Sequence, residues 1–324
     1  MDSPTQKIEI FAPFGAAFEL MKRTLFKPFD LKKWLVIGFA AFLAHLSGGG
    51  GNGFNFNSSK FQDAKAHVTS TTQNAVSSAD GIPMWVIPLA IVAVVVVIAV
   101  VVVLLWIGCR GRFIFLDCIV RNRGAIKEPW HEYRPEANSF FRFSLIVAAI
   151  VIVMLLVAAL PLVLTLILHK GLGTGGTIGL ITGVILLVFV LLLAAFAWSL
   201  ISQFMVPVMY RRRCRAREAF SAVFGLMKAH LGPFVLYFLF TIVLGIAAAM
   251  IACVAACISC CIAAIPYVGT VILLPIYVTI TAFSALFLRQ FGSEFNAFQN
   301  ASTTEASAVL PPPPTFPDPP PMPA

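Results

Sequence analysis

Several runs in this chain exceed 18 residues without one Asp, Glu, Lys or Arg, and nothing else restricts its fold so strongly. A helix of about 20 apolar residues matches the hydrocarbon thickness of a bilayer, so such runs read as membrane-spanning helices. Composition agrees. Of 324 residues 59% are apolar and 11% charged, too few charges to cover a water-facing surface. The runs place spans at 34–48, 84–107, 143–168, 177–209, 233–264 and 267–288. The first is short, because Trp34 to Leu46 must borrow Ser47 and the following glycines, or a thinned bilayer, to cross.

Charge sets the orientation. Cytoplasmic loops collect Lys and Arg. With the N-terminus inside, all 23 basic residues except Lys60, Lys65 and Lys170 fall on the cytoplasmic side. Six spans with both termini cytoplasmic follow. Residues 1–33 form a cytoplasmic segment, 34–288 the membrane domain and 289–324 a proline-rich cytoplasmic tail. The formal charge of +9 is thus an orienting rim and gives no reason to invoke nucleic acid.

Two short segments on the basic side have helical amphipathic spacing. Phe14, Phe18, Met21 and Leu25 make one stripe beside Lys22 and Arg23, and Pro28 ends or kinks that helix. Phe220, Val223, Phe224, Met227 and Leu231 make another, with Lys228 and His230 on other faces. The stretch from Phe18 to Phe29 can be laid on Phe224 to Phe234 with one deletion, matching Phe, Leu, Met, Lys, Leu, Pro and Phe. A third, less similar copy runs from Pro129 to Phe143. The expected architecture is an all-α integral membrane protein: six transmembrane helices in three hairpin repeats, each led in by a cytoplasmic interfacial helix.

The candidate working surface is the basic rim: Lys22, Arg23, Lys27, Lys32 and Lys33 on the first segment, then Arg211, Arg212, Arg213, Arg215, Arg217 and Lys228. Each cation near an anionic leaflet contributes on the order of 1 kcal/mol, so these residues are expected to meet anionic headgroups. Gly175, Gly179 and Gly183 recur every four residues and fit helix packing, within the chain or in a homo-oligomer. Ser199, Ser202 and Gln203 are the most polar cluster inside a span, suited to interhelical hydrogen bonds or to a polar cavity. Pro161 and Pro275 should kink their spans. As drawn, no span contains an Asp or Glu, which counts against a proton- or cation-coupled carrier.

His45 and His169 flank the outer edge of spans without a carboxylate or cysteine nearby, so no metal is expected there. Cys253, Cys257, Cys260 and Cys261 share a helical face but sit among Ala, Ile and Ser, where cysteine behaves as a small apolar residue. Cys109, Cys118 and Cys214 lie at the cytoplasmic boundary and read as inert. No phosphate-binding loop, zinc-protease motif or nucleophile elbow occurs, and no cofactor is expected. The 47–81 loop opens with glycines and is rich in Asn, Ser and Thr. The tail after Phe291 ends in a polyproline arm.

Leu25 to Trp34, Gly38 to Ala44 and the glycine run from Gly48 to Gly51 resemble the opening of an uncharacterised family of bacterial polytopic membrane proteins. The interfacial helices, and Phe204-Met-Val-Pro-Val-Met-Tyr210 before the arginines, are distantly similar to the membrane domain of some glycerophosphodiester phosphodiesterases. The resemblance implies a bacterial inner-membrane location and supplies no catalytic residue. The expected function is a non-enzymatic membrane module that associates with lipids or a partner protein. The alternative is a small transporter or channel subunit using a cavity at Ser199, Ser202 and Gln203.

Overall fold

A computed structural model describes residues 9–27, 29–46, 86–168, 174–258 and 266–299 of the protein. Every regular element among these residues is helical: α1 (Phe11–Leu25), α2 (Leu31–His45), α3 (Val86–Val120), α4 (Lys127–Glu132), α5 (Arg134–Leu168), α6 (Thr174–Leu200), a π-helical turn (Ile201–Met205), α7 (Val206–Arg212), α8 (Ala216–Ala229), α9 (Leu231–Ile258), α10 (Pro266–Ile272) and α11 (Leu274–Arg289). A 3-10 turn follows at Ser293–Phe295.

Four helical stretches are long and apolar enough to cross a membrane: Pro88–Val120, Arg134–Thr165, Gly179–Arg212 and Leu231–Ala255. They coincide with the four central expected spans. The outer two differ. The expected span 34–48 is α2, whose 15 residues rise about 22 Å. Asp30 starts it, accepting hydrogen bonds from the backbone N–H of Lys32 at 2.9 Å and Lys33 at 3.4 Å. The expected span 267–288 is interrupted at Leu273 into α10 and the 16-residue α11, with Pro275 in the first turn of the latter. Its apolar character has a different origin from lipid contact, since residues 282–288 are all buried in protein. An all-round apolar helix suits either environment, and composition does not separate them.

One helix shows both environments. In α3 residues 88–101 are exposed on every face, whereas 108–120 are all buried. The buried half, residues 201–210 and α11 form one aromatic-rich core that includes Phe113, Phe204, Tyr210, Phe283 and Phe287. The apolar halves of α3, α5, α6 and α9 extend from it with Val, Ile and Leu outward. Exposed apolar area of that extent is incompatible with water and matches lipid contact.

Helix α2 lies antiparallel beside the buried half of α3. A Cβ on Gly111 would come within 2.6 Å of the Ala44 nitrogen and the Leu43 carbonyl carbon, and one on Gly124 within 3.3 Å of the Lys33 Cα. Helices α5 and α6 form an antiparallel hairpin through the expected glycines. A Cβ on Gly179 would meet the Thr165 Cγ2 at 2.2 Å, and one on Gly183 the Leu162 Cβ at 3.1 Å. Their partner is therefore α5 of the same chain. Gly175 sits in the first turn of α6, where side-chain surroundings lie outside the described residues. Pro161 is accommodated inside α5. Pro28, His169, Cys260, Cys261, the 47–81 loop and the chain after residue 299 also lie outside them.

The two interfacial segments form α1 and α8. Their aligned halves agree in detail: Lys22 Nζ lies 4.7 Å from the Phe18 ring and Lys228 Nζ 4.6 Å from the Phe224 ring, with both phenylalanines exposed. Their continuations diverge, since Phe29 is exposed and Phe234 buried.

Backbone approach at Gly111 gives a direct test of the α2–α3 contact. Gly111→Ala should lower stability by about 1–3 kcal/mol through overpacking against α2 backbone. Gly225→Ala, in α8 with nothing within 4 Å of a new Cβ, should be neutral or stabilising by up to about 1 kcal/mol. Thermal unfolding of both variants in detergent, followed by tryptophan fluorescence, separates the two outcomes.

Candidate functional site

Charged side chains in the core follow from the unbroken run of α3 past the last apolar turn. Asp117 is fully buried on it. The carboxylate is 3.0 Å from Arg121 Nε, one turn later, and 3.2 Å from Arg123 Nη2. Tyr210, at the end of the third candidate span, donates its hydroxyl to Asp117 Oδ1 at 2.9 Å. Arg121 also pairs with Glu132 at 2.9 Å. Glu132 is held in turn by Arg213, which donates to its backbone carbonyl at 3.1 Å and to its carboxylate. The Arg213 guanidinium lies 3.9 Å from the Tyr133 ring, which stacks on Tyr210 at 4.8 Å. Arg213 adopts a left-handed backbone, φ 52°, as the cap of α7. This cluster ties α3, α4 and α7 together.

Its electrostatics are self-contained. Burial alone would raise the Glu132 carboxyl, but Arg121 and Arg213 more than offset that and hold it below its ordinary value of 4.5. Its stabilising contribution is present above the unfolded-state value and is lost as pH falls through the depressed folded value.

These pairings divide the expected rim. Arg213 belongs to the core cluster. Arg212 pairs with Glu294 and lies 5.2 Å from the Phe295 ring, while Arg211 donates to Gln299 at 2.9 Å, so both hold the C-terminal turn. Lys33 donates to Asn122 at 2.8 Å, and burial pushes its amine down. By contrast Arg23, Lys27, Lys32, Arg215, Arg217 and Lys228 are exposed, and no carboxylate among the described residues pairs with them.

A groove between α1 and α11, about 510 Å³, gathers Lys22, Arg23, Lys27 and Arg289. Glu19, its one carboxylate among the described residues, is tied to Lys22 at 3.0 Å. Leu20, Leu286 and Phe298 give the groove an apolar floor. Phe11 and Phe18 on α1, with Phe26, Phe29 and Leu31 following it, are exposed. Cations beside outward aromatic and aliphatic side chains suit the headgroup layer, where each can reach its preferred medium. Arg289 in this groove was invisible as a site residue, because only the fold brings α11 to α1.

The expected polar cluster is also assembled. Gln203 donates to the Ser199 hydroxyl at 3.0 Å and accepts from Tyr237 at 2.9 Å, while Ser202 donates to the Ser199 carbonyl at 3.2 Å. The helix widens to a π-turn here. Pro207 has no N–H for the Gln203 carbonyl four residues earlier, which removes the α-type bond at that point. Among the described residues no three His, Cys, Asp or Glu side chains come together as a metal site.

Residues 9–292 match the family of unknown function DUF7544. The chain belongs to that family. No curated protein and no solved structure matches it. The match spans helices α1 to α11, so the core cluster, the π-turn and the groove apart from Phe298 lie within the family's region. No match supports the resemblance to the phosphodiesterase membrane domain.

The core cluster is open to test by pH. Thermal midpoints measured from pH 7 downward should fall as pH passes below about 4.5, the ordinary glutamate value, and Glu132→Gln should start lower and flatten part of that dependence. Tyr210→Phe, which strips one hydrogen bond from buried Asp117, should cost about 1–3 kcal/mol at neutral pH.

Proposed function

We propose that this DUF7544 chain is a non-enzymatic module of a bacterial cytoplasmic membrane that holds anionic lipid at its basic face. The α1–α11 groove carries the proposal, since it places four cations against one neutralised carboxylate beside exposed phenylalanines. A helix with such a composition settles in the headgroup layer, apolar side inward. Helix α8 repeats the arrangement, with Phe220 and Phe224 exposed near Arg215, Arg217 and Lys228.

In this reading both termini are cytoplasmic, and α2 with α10–α11 completes six crossings in three hairpins within a locally thinned bilayer. The outward Leu31, Leu35 and Phe39 of α2 support lipid contact along its length. Six crossings return the chain to its starting side, and the bias of Lys and Arg favours that side as the cytoplasm, whereas four would part the cations of residues 7–33 from those of 110–142 and 211–228. A partner protein or a second copy would dock on the same surface. The alternative, a small transporter or channel subunit, draws on the cavity beside Ser202 and Gln203.

Native mass spectrometry of the full chain in uncharged detergent, with added phosphatidylglycerol, tests the proposal. Lys22→Gln, Arg23→Gln and Lys27→Gln together should remove retained lipid, with a loss on the order of 3 kcal/mol at low salt. Equal retention of phosphatidylglycerol and phosphatidylcholine, unchanged by the triple substitution, would overturn it.

A further inference from the structure

On the far side of α11 from the lipid groove lies a second feature with its own chemistry. A cavity of about 70 Å³ is lined by the end of α2, the buried half of α3, the π-turn, the start of α7 and α11. Its polar wall includes Arg112, His45, Ser202, Gln203, Thr281 and Ser284, with Tyr277 beside them. Arg112 is 7% exposed, and its guanidinium lies 5.6 Å from the Phe140 ring and 5.5 Å from the Trp198 ring. Among the described lining residues it bears the one permanent charge, and no Asp or Glu lines the space.

We infer that this cavity binds a compact oxyanion of the carboxylate or phosphate type, with Arg112 as its charged anchor. Three physical points support the assignment. The field inside is set by a cation enclosed in a low-dielectric core, so it favours a negative occupant. A guanidinium offers parallel N–H donors in a planar fork, which matches two oxygens of one anion better than a spherical ion. The Ser202 and Ser284 hydroxyls on the wall are suited to the other oxygens. Ser202 and Ser284 now donate to the carbonyls of Ser199 and Thr281, at 3.2 and 2.9 Å, and their hydroxyls can rotate toward a ligand.

The wall is preorganised. Gln203 is fixed at both ends of its amide by Ser199 and Tyr237. His45 lies against Tyr277, ring centroids 4.1 Å apart and tilted by 46°, and its Nδ1 is 2.7 Å from the Ala41 carbonyl. The π-turn exists where Ser202 and Gln203 meet the cavity, a place where such turns often serve binding. The volume suits a few waters or one small ion and excludes a diacylglycerol, so a lipid could insert only its phosphate.

Thermal unfolding of the full-length protein in uncharged detergent tests the site, with inorganic phosphate titrated against sodium chloride of equal ionic strength. Phosphate should raise the midpoint in a concentration-dependent way, as a ligand of the folded state does. Arg112→Gln should abolish the shift. Because that variant risks misfolding, Ser202→Ala with Ser284→Ala forms the second arm, and should weaken apparent affinity about tenfold while leaving the phosphate-free midpoint near wild type. The Lys22, Arg23 and Lys27 triple substitution should keep the full shift, which separates this site from the lipid groove. A shift produced by short-chain phosphatidic acid but not by free phosphate, and lost in the same variants, would assign the oxyanion to a lipid headgroup. No shift with either probe, or a shift that persists in the double serine variant at undiminished affinity, would overturn the inference.

Discussion

Asp117 is the residue on which the rest of the core depends. A buried carboxylate is costly unless paired and hydrogen-bonded, and here Arg121, Arg123 and Tyr210 meet it from two segments distant in sequence. Satisfying it fixes the end of α3 against α7. The shared use of Arg121 by Glu132, and of Glu132 by Arg213, then fixes α4. Removing Arg121, Arg123 or Tyr210 would leave Asp117 buried and less completely paired, so these groups act as a unit. Its specificity is geometric: only one relative placement of these helices satisfies all of it.

The groove and the cavity lie on opposite sides of α11, and both follow from how that helix is enclosed. An apolar helix surrounded by lipid would present neither. Surrounded by protein, it offers Leu286 and Arg289 to α1, and Tyr277 and Ser284 to α2 and α3. The two sites differ in dielectric. The groove is open, and its cations act by number through a screened field. The cavity is narrower and more sheltered, so a single buried guanidinium acts there through a less screened field.

Much of the membrane character was legible in the letters, because hydrophobic runs and charge bias are one-dimensional signals. The four long helices and the amphipathic α1 and α8 follow from them. The lengths of the outer elements do not, since the α10–α11 segment reads identically whether lipid or protein surrounds it. Nor did the rim divide itself by spacing: Arg212 and Arg213 differ from Arg215 and Arg217 only through Glu294 and Glu132, which folding brings near. By charge bias alone Arg112 is simply one more cation on the cytoplasmic side. Its burial arises from α2 crossing beside Gly111, a contact that sequence spacing does not contain.

Helix α3 has a mechanical consequence. It is one unbroken rod of 35 residues, about 52 Å long, exposed at 88–101 among the described residues and clamped at 108–120. A rod held at one end is a lever. In a bilayer, a change in thickness would act on the tilt of that arm, and any torque would meet the clamp where Arg112 lines the cavity and Asp117 carries its ion pairs.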